Sequence, residues 1–140
     1  MKIQFPASSS LSLLALVLPL SAAETVLISD DPAATASALV PTAGNGGNSL
    51  SIQEWTDVAT PPNAASWTTG TTGVGYEASP TSNTSYSSLL GLDLQARMRN
   101  RSTTAYIRVP FTVDAQTLTS TRGLFLDMKY DDGFIAYFNG

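Results

Sequence analysis

The chain has 140 residues, with 7 lysines and arginines against 11 aspartates and glutamates, and 43% of its residues are hydrophobic, as in an ordinary globular domain. It contains no histidine and no cysteine, which excludes Ser-His-Asp and Cys-His catalysis, imidazole or thiolate metal sites, and disulfides. Nucleic acid is not an expected partner, because the net charge is -4 and such partners require a cationic surface.

The N-terminal segment has the pattern of a signal peptide. Lys2 gives a positive start, and 11–20 is an apolar stretch that is too short for the roughly 20 residues of a membrane-spanning helix. Small residues at 21–23 fit signal peptidase. We therefore expect 1–23 to be removed after Ala23, a secreted or cell-surface location, and no membrane insertion once the signal is gone. The remaining part, 24–140, is expected to be one partial β-sandwich module.

The first part of the mature chain, 24–88, is rich in Ser, Thr, Gly, Asn and Pro, with only short apolar islands. Such composition is typical of loops. Trp55, Trp67 and Tyr76 lie within it and favour loops packed on a core over disorder, because large aromatic rings are usually buried.

Alternating apolar residues predict strands in the second part. In 105–113 every second residue is apolar, which predicts a strand that buries the Ile107 side and turns Arg108 outward, with Pro110 marking an edge or a bulge. The same pattern predicts strands at 124–130 and 134–138. Asp131, Asp132 and Gly133 between them predict a hairpin turn with glycine in the left-handed position.

Two shorter signals flank these strands. Leu90, Leu94 and Met98 recur at helical spacing and predict one short helical turn, although Gly91 weakens a helix and a loop across the sheet is the alternative. The final dipeptide, 139–140, is Asn-Gly, which is typical of a type I′ hairpin turn. We therefore expect a strand after the turn that this sequence does not supply.

Three stretches carry a resemblance to a known family: 67–77 with its Trp and Gly-Tyr elements, 105–111 with its Tyr-x-Arg strand, and 130–140 with its Asp-Asp-Gly hairpin. They resemble the galactose-binding-like jelly-roll modules of large exported bacterial surface proteins of planctomycete and verrucomicrobial type. The resemblance runs from about Leu39 onward. It implies an all-β jelly-roll β-sandwich that lacks its last strands, and it places Trp67 and Tyr76 in structural packing.

Aromatic residues are the candidates for ligand binding, because an exposed ring can stack on the apolar side of a sugar. Trp55 and Tyr86 are flanked by polar residues and are our candidate carbohydrate-binding residues. The expected function is a non-catalytic, glycan-binding accessory domain of a larger secreted protein, whose partners are a glycan or neighbouring domains. We assign no cofactor, metal or catalytic residue. A structural spacer and the N-terminal part of a secreted carbohydrate-active enzyme are the alternatives.

Acidic residues are candidates for catalysis and for metal binding. A carboxylate pair for glycoside hydrolysis could come from four of them, but no spacing singles out a pair: Glu54, Asp57, Glu77 and Asp93. Asp131 and Asp132 could offer oxygen ligands to Ca²⁺, although capping of their own turn is the simpler interpretation.

The arginines at 97, 99 and 101 alternate and would share one face if the segment were extended. A solvated surface explains such a row without any ligand, whereas binding of an anionic glycan is the more specific hypothesis.

Overall fold

A computed structural model describes residues 24–29, 33–57, 59, 61–81 and 85–139. The predicted signal peptide and Gly140 lie outside these residues. The described part contains five strands, three α-helices and three 3₁₀ turns, in the order β1 (Thr35–Leu39), a 3₁₀ turn (Gly47–Ser49), α1 (Ile52–Thr56), a 3₁₀ turn (Ala64–Ser66), β2 (Thr68–Thr71), β3 (Val74–Gly75), a 3₁₀ turn (Ser87–Leu89), β4 (Leu92–Asp93), α2 (Gln95–Met98), β5 (Tyr106–Arg108) and α3 (Ala115–Ser120). None of these helices has the length and apolar character needed to cross a membrane.

The strands form two small sheets. β1 is the central strand of an antiparallel sheet of order β2-β1-β5, in which Ala36 lies opposite Gly70 and Ala38 opposite Ile107. β3 and β4 pair in parallel. This mixed architecture corrects the expected all-β jelly-roll β-sandwich, because a jelly roll needs two sheets of longer antiparallel strands.

The core lies where the two sheets meet. Its buried centre consists of Ala38, Val40, Leu92 and Leu94, with Val74, Met98 and Ala105 packed against it. Gly70 permits this approach, since a side chain there would begin only 2.9 Å from the Gly91 carbonyl oxygen and 3.0 Å from Leu92 Cβ. The loop-rich first part of the sequence therefore supplies half of the core through small residues.

The segment around α2 agrees with the sequence. The predicted short helical turn is confirmed at Gln95–Met98, immediately after Leu94. Leu94 is 1% exposed and Met98 is partly buried against the core, so two residues of the helical pattern face inward.

The strand predicted over 105–113 is shorter in the structure, and its more buried face is not the predicted one. Only Tyr106–Arg108 form β5, and Pro110 follows its end. Ile107 shares the sheet face of Ala38, but it is 42% exposed, so its predicted burial is wrong. Tyr106 and Arg108, on the other face, are half-buried, because aromatic rings from the first part of the chain cover them.

The two C-terminal strand predictions are also wrong. Residues 121–139 contain no strand, and every one of them is exposed. Between 122 and 139 no described backbone group makes a backbone–backbone hydrogen bond. The predicted turn bends at 131–132, but the left-handed residue is Asp132, with φ 71°, and not Gly133. Alternation marks the sides of a strand, but a strand forms only where a partner backbone lies alongside it.

Candidate functional site

Trp55 is positioned by a short, well-capped helix. Ser51 Oγ accepts a hydrogen bond from Glu54 N at 3.3 Å, and Glu54 Oε2 accepts one from Ser51 N at 2.8 Å, which together form a capping box. The Trp55 ring stacks on Tyr106, with centroids 4.8 Å apart and planes 4° apart, and it meets Tyr137 edge-on at 5.3 Å. At most one face of this predicted sugar-stacking ring is therefore open.

Tyr86 lies in a different setting. It is 47% exposed and directly precedes the 3₁₀ turn at Ser87–Leu89. The Glu77 carboxylate accepts hydrogen bonds at one oxygen, Oε2, from Tyr86 N at 3.0 Å, Ser87 N at 3.1 Å and Ser85 Oγ at 3.0 Å. Because hydrogen bonds to an ionised acceptor are stronger than neutral ones, this carboxylate fixes the loop that presents the Tyr86 ring.

The structure does not bring the two predicted binding residues together. Within the described part of the chain, no hydrogen bond or ring contact joins Trp55 and Tyr86. They are therefore two separate candidate positions, of which Tyr86 has the more open ring.

Trp67 is half-buried and makes two local contacts. Its indole Nε1 donates a hydrogen bond to the Pro62 carbonyl oxygen at 2.8 Å, and the Arg108 guanidinium lies 5.8 Å from its ring centroid. This distance is within the range of a cation–π interaction. Arg108 Nη1 is buried without a hydrogen-bond partner, so the ring provides the favourable environment for this cation.

The four acidic residues that are candidates for catalysis each accept hydrogen bonds from nearby groups. Asp57 Oδ1 accepts from Ala59 N, and Asp93 Oδ1 accepts from Gln95 N. The hydrogen bonds from Ser51 lower the pKa of Glu54 below its ordinary value, which is opposite to the shift that a general acid needs.

The two aspartates considered for calcium form a local turn, in which Asp131 Oδ1 accepts a hydrogen bond from Asp132 N at 3.0 Å. Across the described residues, no group of three or more acidic, histidine or cysteine side chains is placed to hold a metal ion. The turn interpretation accounts for this geometry.

The arginine row is broken by the local fold, so the extended face considered from the sequence does not form. Arg97 is in α2, and its Nη1 lies 3.4 Å from the Ser66 carbonyl oxygen, to which it donates a hydrogen bond. Arg99 and Arg101 line an open surface concavity of about 470 Å³, with Asp93 and Asn100 on its other sides. The acidic neighbour makes this a mixed-charge surface.

The roles of two residues that shape these positions were not predicted from the sequence. Glu77 accepts hydrogen bonds from residues eight to ten positions away, and no local sequence pattern predicts such a contact. Arg108 was placed on the outward side of its strand, because a single sequence gives no sign that Trp67 covers it.

Comparisons with protein-family models, with curated proteins and with solved structures find no match to this chain.

Proposed function

We propose that this chain is a non-catalytic extracellular accessory module that binds a glycan weakly, with Tyr86 as the principal contact. The observation that carries the proposal is the exposed Tyr86 ring on a loop that Glu77 fixes through three hydrogen bonds. A loop whose backbone is fixed before binding loses little conformational entropy when a sugar stacks on the ring that it presents.

The expected affinity follows from the size of the site. One stacking ring and a few polar neighbours gain only a few kcal/mol, which corresponds to a Kd of roughly 1 mM. Trp55 is a second, weaker candidate, because Tyr106 already occupies one face of its ring.

The environment of the carboxylates supports a non-catalytic role. Glu54, Glu77 and Asp93 accept hydrogen bonds from nearby backbone N–H groups. Their carboxylates therefore stabilise the local backbone of the folded chain. An extracellular setting is supported by the sequence alone, through the signal-peptide pattern of 1–23. N-terminal sequencing of the exported product checks this part of the proposal: we expect a chain starting at Glu24, whereas a product starting at Met1 would contradict export.

Binding can be tested by affinity gel electrophoresis against a panel of soluble polysaccharides. We expect at least one polysaccharide to retard the wild-type chain, Tyr86→Ala to raise the Kd at least tenfold, and Tyr86→Phe to bind nearly as well, because it keeps the ring. Leu89→Ala is the matched control, since Leu89 is an exposed, non-aromatic residue of the same loop. Glu77→Ala should weaken binding while leaving the Tyr86 ring intact.

Other results of the same experiment would contradict glycan binding or favour an alternative function. If no polysaccharide retards the chain, or if a Tyr86→Ala and Trp55→Ala double variant binds as the wild type does, the glycan proposal is wrong. Release of reducing sugars from a bound polysaccharide would instead favour the enzyme alternative.

A structural spacer is the second candidate, and a different observation favours it. Both tryptophans are engaged in packing, Trp55 with Tyr106 and Trp67 with Arg108. A spacer predicts that Tyr86→Ala changes neither stability nor any binding.

A further inference from the structure

The segment 124–130 exposes an unusual amount of apolar surface. Phe125 is 92% exposed and Leu126 62%, and Leu124, Met128 and Tyr130 are exposed as well. Contiguous apolar surface of this kind usually marks an interaction site. Because no described backbone group in the segment has a backbone partner, it also offers unpaired donors and acceptors to an added strand.

The segment has the local features of a strand that lacks a partner. From Leu126 to Tyr130 its apolar and charged residues alternate, and none of the residues of 124–130 has a positive φ. The left-handed residues nearest to it are Asp132 and Asn139, both of which lie beyond its end. A single added strand would satisfy the backbone groups along one of its edges and bring apolar side chains of the two strands alongside each other.

Charge complementarity points to a second copy of this chain as that partner. When two identical strands pair antiparallel about a two-fold axis, the residue on the axis fixes which side chains lie opposite each other. With Met128 on the axis, Asp127 faces Lys129 of the other copy twice by symmetry, and Leu126 faces Tyr130.

The neighbouring registers are worse. With Asp127 on the axis, two aspartates would lie directly opposite each other, and with Lys129 on the axis, two lysines would. In registers whose two-fold axis passes between two residues, apolar side chains lie opposite charged ones, and the two faces of the ribbon are mixed. We propose that this chain forms a homodimer through antiparallel pairing of 126–130, with Met128 at the two-fold axis. This proposal does not depend on glycan binding by Tyr86.

The register can be tested by cysteine cross-linking, because the chain has no native cysteine. Residues directly opposite in an antiparallel ladder have Cα atoms about 4.5 or 5.5 Å apart, within the range that a disulfide spans. Met128→Cys should therefore form a disulfide-linked dimer on mild oxidation. Phe125→Cys is the matched control: its two copies would lie six positions apart along the ladder, or about 20 Å, and should not cross-link.

Charge reversal tests the same register without a thiol. Asp127→Lys and Lys129→Asp should each weaken dimerisation about tenfold in sedimentation equilibrium, because each places like charges opposite each other twice. The double variant, Asp127→Lys with Lys129→Asp, should restore the wild-type dimerisation constant. Both side chains are exposed, so circular dichroism should show the same fold in all variants.

Three results would overturn the proposal: a wild-type chain that stays monomeric at millimolar concentration, equal cross-linking through positions 125 and 128, or a double charge variant that dimerises no better than the singles. A monomeric chain would show that a second copy is not the partner of this segment. Equal cross-linking would mean that two chains associate through it without the proposed register.

Discussion

Two regions of the molecule differ in how far they bury apolar side chains. In the sheet region, 35–108, even a small side chain can be fully buried: Ala36 is 0% exposed, and it lies on the central strand between β2 and β5. In the C-terminal region, 121–139, Phe125 is 92% exposed. The comparison shows that the hydrophobicity of a side chain does not by itself decide its burial in this fold.

The regions meet at aromatic residues. Trp55 on α1 contacts Tyr106 of β5 and Tyr137 of the C-terminal region, and Phe138 stacks on Phe111 at 5.8 Å. The C-terminal region is therefore attached to the sheet region by rings and not by a ladder of hydrogen bonds. The two regions should respond differently to the same kind of substitution.

The largest difference is expected between two glycines. A side chain at Gly73 would overlap the Leu89 carbonyl oxygen, and Gly73 has φ +83°, so Gly73→Ala should destabilise the fold by more than about 3 kcal/mol. At Gly133 a Cβ would meet nothing within 4 Å, so Gly133→Ala should change stability by less than about 0.5 kcal/mol. Urea unfolding of both variants checks the contrast, and equal losses would contradict it.

A large-to-small pair probes packing in the two regions. Leu94→Ala should cost about 2 to 4 kcal/mol, because Leu94 is fully buried and leaves a cavity in the core. Phe125→Ala removes a larger side chain, yet it should cost less than about 0.5 kcal/mol in the monomer, because that ring has almost no cover. Thermal melts at low protein concentration measure both. A greater loss for Phe125→Ala would show that the C-terminal region is packed in solution.

A smaller effect is expected at the link between the regions. Ser51→Ala removes the side-chain cap of α1 and should cost about 1 kcal/mol, while loosening the helix that holds Trp55. The near-ultraviolet circular dichroism of the Trp55 and Tyr106 pair should fall with it. Ser88→Ala is the control, because Ser88 is exposed and has no side-chain hydrogen bond in the described structure. Equal melting of the two variants would argue against a role for the capping box.

Some of the fold could be predicted from local signals. The turn at Gln95–Met98 followed from the spacing of its apolar residues. α1 was not predicted, although Ser51 and Glu54 have the capping-box spacing. β1 was not predicted, because its sequence, TASAL, alternates only between small residues and has a single large apolar residue, Leu39. It is a strand because partners lie on both of its edges.

The C-terminal region and the candidate site show the same limit of local pattern. The pattern of 124–130 shows which side chains would share one face of a strand, but it does not show that a partner strand is present. Similarly, polar neighbours indicated that the Tyr86 ring would be open, whereas its loop is fixed by Glu77, nine positions away. Contacts between residues distant in sequence decide whether 124–130 forms a strand and whether the Tyr86 loop is fixed. Such contacts leave no residue spacing that can be recognised in a single sequence.

The smallest expected effect is the pH dependence of helix capping. Hydrogen bonds from Ser51 lower the pKa of Glu54, and those from Thr117 lower the pKa of Asp114, which caps α3 just before the C-terminal region. A carboxylate whose pKa is lowered by folding stabilises the fold above its unfolded-state pKa, about 4.3 for a glutamate, and loses that contribution as the pH falls through the lowered folded-state value. Glu54→Gln does not titrate, so its loss of stability between pH 7 and pH 3 in urea unfolding should be smaller than that of the wild type. In an NMR titration, Ser51→Ala should move the pKa of Glu54 back up, because the donated hydrogen bond from the hydroxyl is gone. If Glu54 titrates at the same pH in the wild type and in Ser51→Ala, the side-chain part of the capping box does not form in solution.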